Sequence, residues 1–212
     1  EMKTDALIDM LARDAGPAPR ALAARRLSPA AAVGLLVSAA IAIAWFGAIP
    51  AQMFATAVPW TKMAYAGALA LAAGWLTARL SRPAAPIAEP RRVTVLVLLS
   101  MAFVGSVSLA STPAGSRMDA VFGESWLTCP WSVLALSVPA LAASLWAVRG
   151  LAPTRPRAAG FAAGLLAGSV GAFGYSLSCP EASPAFVAIW YTLGIAFTGA
   201  LGAALGPRVL RW

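Results

Sequence analysis

The chain has 212 residues, of which 60% are hydrophobic and 11% charged; Lys and Arg outnumber Asp and Glu by 16 to 8, and there is no His. So few charges cannot cover a water-soluble domain, where about a quarter of residues are charged, and so much apolar content excludes disorder. The absence of His, with only two Cys, argues against haem, a His-ligated zinc centre or a Ser-His-Asp triad. No enzyme and no resident cofactor is expected.

The polar lead comes first. Met2 is the expected natural start, with Glu1 an addition. No cleavable signal peptide is expected, because the polar lead is too long and the first apolar run is long enough to span. Thr4 can cap a helix reaching about Asp14. Leu7, Ile8, Met10 and Leu11 form one apolar stripe, and Asp5 and Asp9 lie on the other side. Gly16-Pro17-Ala18-Pro19 ends this helix and starts an extended linker. Three readings are open for the helix: it lies on the membrane, it frays as a free tail, or it docks its stripe in a partner's groove. Its acidic face has the wrong sign for an anionic leaflet and suits a basic partner.

Six apolar runs follow, at residues 30–49, 63–78, 93–110, 131–148, 158–177 and 184–205, none holding an Asp, Glu, Lys or Arg. About 20 apolar residues suffice to cross the hydrocarbon layer. The expected fold is therefore all-α: a polytopic membrane protein with a six-helix transmembrane bundle at 30–212. A short cytoplasmic segment at 1–29 carries the amphipathic helix. Fourteen of the 16 Lys and Arg fall in the N-terminal segment, the even-numbered connections and the tail, leaving Lys62 and Arg117 on the other side. That asymmetry predicts both termini inside. The basic residues are spread over four short segments, so no direct nucleic-acid contact is expected. Ser106, Ser108, Ser137, Ser144, Ser169, Ser176 and Thr198 read as hydrogen-bonders within the bundle. The spans show neither a proton-carrier's buried ionisable group nor a channel's selectivity ring.

Gly160, Gly164 and Gly168 recur every four residues, as do Gly194, Thr198, Gly202 and Gly206. Such stripes suit close helix contact, either inside the bundle or between copies in a homo-oligomer.

The two cysteines share a hydroxyl-Cys-Pro context: Thr128-Cys129-Pro130 and Ser178-Cys179-Pro180. The topology puts both at the outer boundary, on consecutive antiparallel spans. Two readings are open: a permanent disulfide in an oxidising compartment, or a thiol pair that senses oxidants or a transient soft metal ion.

The N-terminal Met2–Leu11 segment, the proline-containing linker, the six spans and the paired Cys-Pro sites together resemble the NrsF family of bacterial membrane anti-sigma factors. The resemblance implies an inner-membrane protein that holds an extracytoplasmic-function sigma factor. Its N-terminal segment, with Thr4, Asp5, Leu7, Ile8, Asp9 and Leu11, would be the sigma-binding element. It also implies that Cys129 and Cys179 respond to heavy metals or oxidative stress. Two other classes stand beside it. A membrane thiol-disulfide protein would want a Cys-x-x-Cys pair, which is missing. A structural or small-transport bundle would keep a permanent disulfide.

Overall fold

The computed structural model describes residues 4–14, 21–83, 85–151 and 153–211, with the backbone alone for Asp5, Leu7 and Asp14. Met2, Lys3, the Gly16-Pro17-Ala18-Pro19 linker, Arg20 and Trp212 lie outside the described residues. Among the described residues there are helices and turns and no strand, as an all-helical chain requires. The helices are α1 (Thr4–Asp14), α2 (Leu22–Phe46), α3 (Ala57–Leu80), α4 (Ala88–Ser111), α5 (Arg117–Phe122), α6 (Cys129–Arg149), α7 (Pro156–Tyr175) and α8 (Pro184–Val209).

Six of these are long and form the bundle. Five, namely α2, α4, α6, α7 and α8, are long and apolar enough to cross a membrane. The sixth, α3, has 24 residues, but Lys62 and Arg79 stand near its two ends and shorten the uncharged stretch to residues 63–78, whereas the charges of α4 all lie at its start. The sequence places those two residues outside the run at 63–78; the helix takes them in.

The first apolar run also differs from its helix. Ser28-Pro29 reads as a helix start, yet α2 begins at Leu22 and passes through Pro29. Proline there removes the hydrogen bond its own nitrogen would have given to the Arg25 carbonyl, and its ring crowds that carbonyl, yet the helix continues. The start is set instead at Ala21, whose φ of 58° is left-handed. At the other end Gly47, with φ 77°, stops the helix while its N–H bonds the Ile43 carbonyl.

Helix α7 is the central post, with α2, α3, α6 and α8 packed around it. Its glycines allow this. A Cβ on Gly160 would strike the Gly202 carbonyl, one on Gly164 the Thr198 carbonyl, and one on Gly168 would stand 2.9 Å from the Ile195 Cα. The two small-residue stripes therefore meet each other, backbone against backbone, within one chain. On other faces Gly171 abuts Ser137 of α6, and a Cβ on Gly174 would lie 2.9 Å from the Ala39 nitrogen of α2.

Hydroxyls inside the bundle mostly satisfy themselves locally. Ser137, Ser169 and Thr198 donate to the carbonyls of Val133, Leu165 and Gly194 in their own helices. Ser144 is an exception, buried with no partner among the described residues. The outside of the bundle is apolar: Leu36 is 71% exposed, Leu71 79%, Phe103 70% and Trp146 79%. A soluble monomer does not leave so many large apolar side chains facing water.

Candidate functional site

The end of the bundle where α6 begins and α7 stops gathers the two cysteines. Cys129 opens α6, its N–H bonding the Ser125 carbonyl at 2.8 Å. Cys179 lies just past α7, its N–H bonding the Tyr175 carbonyl at 3.0 Å. Both are free thiols and both are fully buried in the same core cluster. They stand within electrostatic reach of each other.

A third group joins them. Lys62, near the start of α3, is 1% exposed. Its ammonium donates to the Cys179 carbonyl at 2.8 Å, and both thiols and the Glu181 carboxylate are within its electrostatic reach. A buried ammonium is costly unless its donors are used, so this contact fixes α3 to the Cys179 turn. Composition places Lys62 in an outer loop. The only sequence signal for its burial is its position directly against an apolar run.

Helix α8 supplies the remaining wall. Residues Val187–Tyr191 form a π-turn, a feature common at functional sites. The Trp190 indole N–H donates to the Val121 carbonyl at 2.8 Å. Tyr191 is fully buried, lies against the Cys179 thiol, and its hydroxyl has no nitrogen or oxygen partner among the described residues. No residue pattern foretells this turn.

Glu181 ties the cysteine turns together. One carboxylate oxygen accepts from the Glu124 and Ser125 amides, each at 2.9 Å, and from the Ser125 hydroxyl at 2.8 Å. Gly123, with φ 53°, brings the chain against this carboxylate, where any Cβ would collide with it. The loop before Cys129 and the turn after Cys179 are thus clamped by one side chain. A small cavity of about 140 Å³, lined by Thr61, Lys62, Ala182 and Pro184, opens beside the cluster.

The arrangement can do thiol chemistry with few ligands. Among the described residues no three His, Cys, Asp or Glu side chains gather to hold a metal. The residues present do not fit a resident ion. They fit oxidation of a thiol pair, or brief two-sulfur capture of a soft ion.

The other candidate element is at the far end. Within α1 the side chains of Thr4, Ile8, Asp9, Met10, Leu11 and Arg13 are all exposed; Ile8 is 57% and Leu11 64% exposed. The side chains of Asp5 and Leu7 lie outside the described residues. Ile8 and Leu11 are three apart and share a face, so the helix offers an apolar stripe that its own bundle leaves uncovered.

The family described as NrsF, negative regulator of sigma F, matches residues 11–212. The chain belongs to this family. Two curated relatives match it over the full length of both chains. One is the anti-sigma-F factor NrsF of Caulobacter vibrioides, 38% identical over 214 aligned positions. The other is the probable anti-sigma-F factor NrsF of Azospira oryzae, 38% identical over 213. No solved structure matches the chain. The NrsF match starts at residue 11, so it contains the thiol cluster and the whole bundle but only the end of α1.

Proposed function

We propose that this NrsF-family chain is a six-span inner-membrane anti-sigma factor for an extracytoplasmic-function sigma factor, with both termini in the cytoplasm. The observation that carries the reading is the end-to-end likeness to two anti-sigma-F factors. The mechanism has two ends. At the inner end, Ile8 and Leu11, with Leu7 of the same stripe, enter an apolar groove on the sigma factor. Asp5 and Asp9 face its basic surface, and Thr4 caps the helix. Docking there would compete with polymerase or DNA for the same surface.

At the outer end, Cys129 and Cys179 act as the sensor. Joining them as a disulfide removes two electrons and releases two protons to an oxidant of the peroxide class. Capture of a soft ion releases protons without electron transfer. Negative charge develops on sulfur on either route, and the Lys62 ammonium compensates it. The clamp at Glu181 and the Lys62 contact pass the change to α3, α6 and α7, whose other ends face the cytoplasm. Sigma release then follows from a shift between two packings of the bundle. A permanent disulfide is the second reading of the same pair, and the cysteine variants below distinguish the two.

Capture of the sigma factor from detergent extract tests the docking end. Full-length protein should retain it, and protein lacking residues 2–14 should not. Equal retention would place the docking surface on the inner loops. Reporter fusions test the topology: positions Ala114 and Ser183 should behave as periplasmic, and Ala85 and Thr154 as cytoplasmic. A cytoplasmic reporter active at Ala114 would overturn the orientation.

A further inference from the structure

The end of the bundle opposite the thiols carries a feature that sigma binding does not use. Arg25, Arg26 and Arg149 line one open cleft of about 700 Å³ between α2 and α6, together with Pro29, Trp146, Ala147 and Gly150. No lining residue is acidic. Three guanidinium groups around one cleft repel one another unless an anion sits among them. Gly150 has no side chain where the Arg26 guanidinium rests, and a Cβ there would collide with it. That glycine keeps Arg26 seated in the cleft.

The layering of the cleft is specific. On α6, Trp146 lies three residues, about one turn, before Arg149, on the same face. On α2, Pro29 lies one turn beyond Arg25 and Arg26. Each wall therefore runs from guanidinium at the end of the bundle to apolar surface one turn deeper, and Trp146 is 79% exposed there. Arginine forks match phosphate oxygens in paired hydrogen bonds. An indole and a proline ring suit the glycerol and upper acyl chain below a headgroup. Basic pockets between membrane helices at the cytoplasmic face take such ligands.

We infer that the Arg25–Arg26–Arg149 cleft is a binding site for the phosphodiester headgroup of an anionic phospholipid. The lipid would sit at the root of the helix that leads from the sigma-binding segment. The site stands whether or not the chain binds a sigma factor, because it needs only a bilayer.

The test uses full-length protein in phosphatidylcholine nanodiscs, titrated with phosphatidylglycerol or cardiolipin and read by native mass spectrometry. Wild type should retain the anionic lipids over phosphatidylcholine. The triple variant Arg25→Ala, Arg26→Ala, Arg149→Ala should lose about a hundredfold in affinity, about fivefold per arginine. A control variant, Arg91→Ala with Arg92→Ala and Arg208→Ala, removes the same charge outside the cleft and should bind as wild type. The triple Arg→Lys variant keeps charge and guards against misfolding; it should bind with intermediate affinity. Equal binding by wild type and the triple Ala variant overturns the site. Displacement by millimolar inorganic phosphate as effective as by lipid would assign it to free phosphate and overturn the lipid reading. Displacement by a peptide of residues 2–14, with no anionic-lipid preference, would make it a dock for the chain's own acidic helix and also overturn it.

Discussion

The two ends of the molecule are built in opposite ways. The thiol end is closed: Cys129, Cys179, Lys62 and Tyr191 are buried, and Glu181 and Lys62 bridge segments far apart in sequence. The other end is open, with an exposed amphipathic helix and three arginines around a cleft that holds no acid. On the proposed reading, a signal at the closed end must reach groups already packed away from solvent, so it can be selective. A partner read at the open end must find its groups uncovered, so it can bind without first unfolding anything.

The contrast breaks most visibly at the open end. Leu7→Ala with Leu11→Ala should leave the bundle's thermal midpoint unchanged and weaken sigma retention at least about thirtyfold, since a truncated hot-spot anchor costs 2 kcal/mol or more. Target genes should then be constitutively on. Full repression by this variant would move the docking site off α1.

The closed end gives the next largest effect, and it is one of response. Cys129→Ser, Cys179→Ser and the double variant should keep normal membrane abundance and hold the sigma factor. Each should lose the response to a soft metal or peroxide, with no further loss in the double. If abundance falls in proportion to the lost response, the cysteines serve structure alone.

Lys62 tests how tightly that end is closed. Lys62→Ala leaves the Cys179 carbonyl without its donor and should destabilise the protein by about 1–3 kcal/mol. Lys62→Met fills the space but leaves the same carbonyl without a donor, so it should recover only the packing part of that loss while still blunting the thiol response. Recovery of both stability and response by methionine would reduce Lys62 to a packing residue.

The smallest effect is expected at the clamp. Glu181→Gln keeps the shape and an acceptor oxygen but replaces charge-assisted bonds with neutral ones, costing about 1 kcal/mol. Hydrogen exchange at the Glu124 and Ser125 amides should quicken while the rest of the bundle is unchanged. Unaltered exchange there would show that the loop is held by the Phe122–Trp126–Trp190 aromatic contacts instead.

The helical architecture was readable because it depends on sums: long apolar runs, and the glycine spacing that brings Gly160, Gly164 and Gly168 onto α8. What escaped depends on single contacts. Ser28-Pro29 reads as a helix start, but a helix already under way from Leu22 runs on through the proline. Lys62 reads as a loop residue, because nothing local announces the carbonyl 117 positions away that receives its proton donor. Glu181 reads as an outer-loop charge, though its partners lie 56 and 57 positions before it. The cysteines themselves were visible from their matching contexts, whereas the π-turn that presents Tyr191 to them has no residue signature.

The seam between α7 and α8 has one more consequence. Where a leucine meets an alanine, evolution can trade volume, shrinking one side as the other grows. Where Gly160 meets Gly202, neither side has anything to give up. A larger residue on either helix has no compensating change opposite it, and the remaining answer is to part the helices. The centre of this protein is therefore its least negotiable region, and change in sensing or in partner choice must come from the two ends.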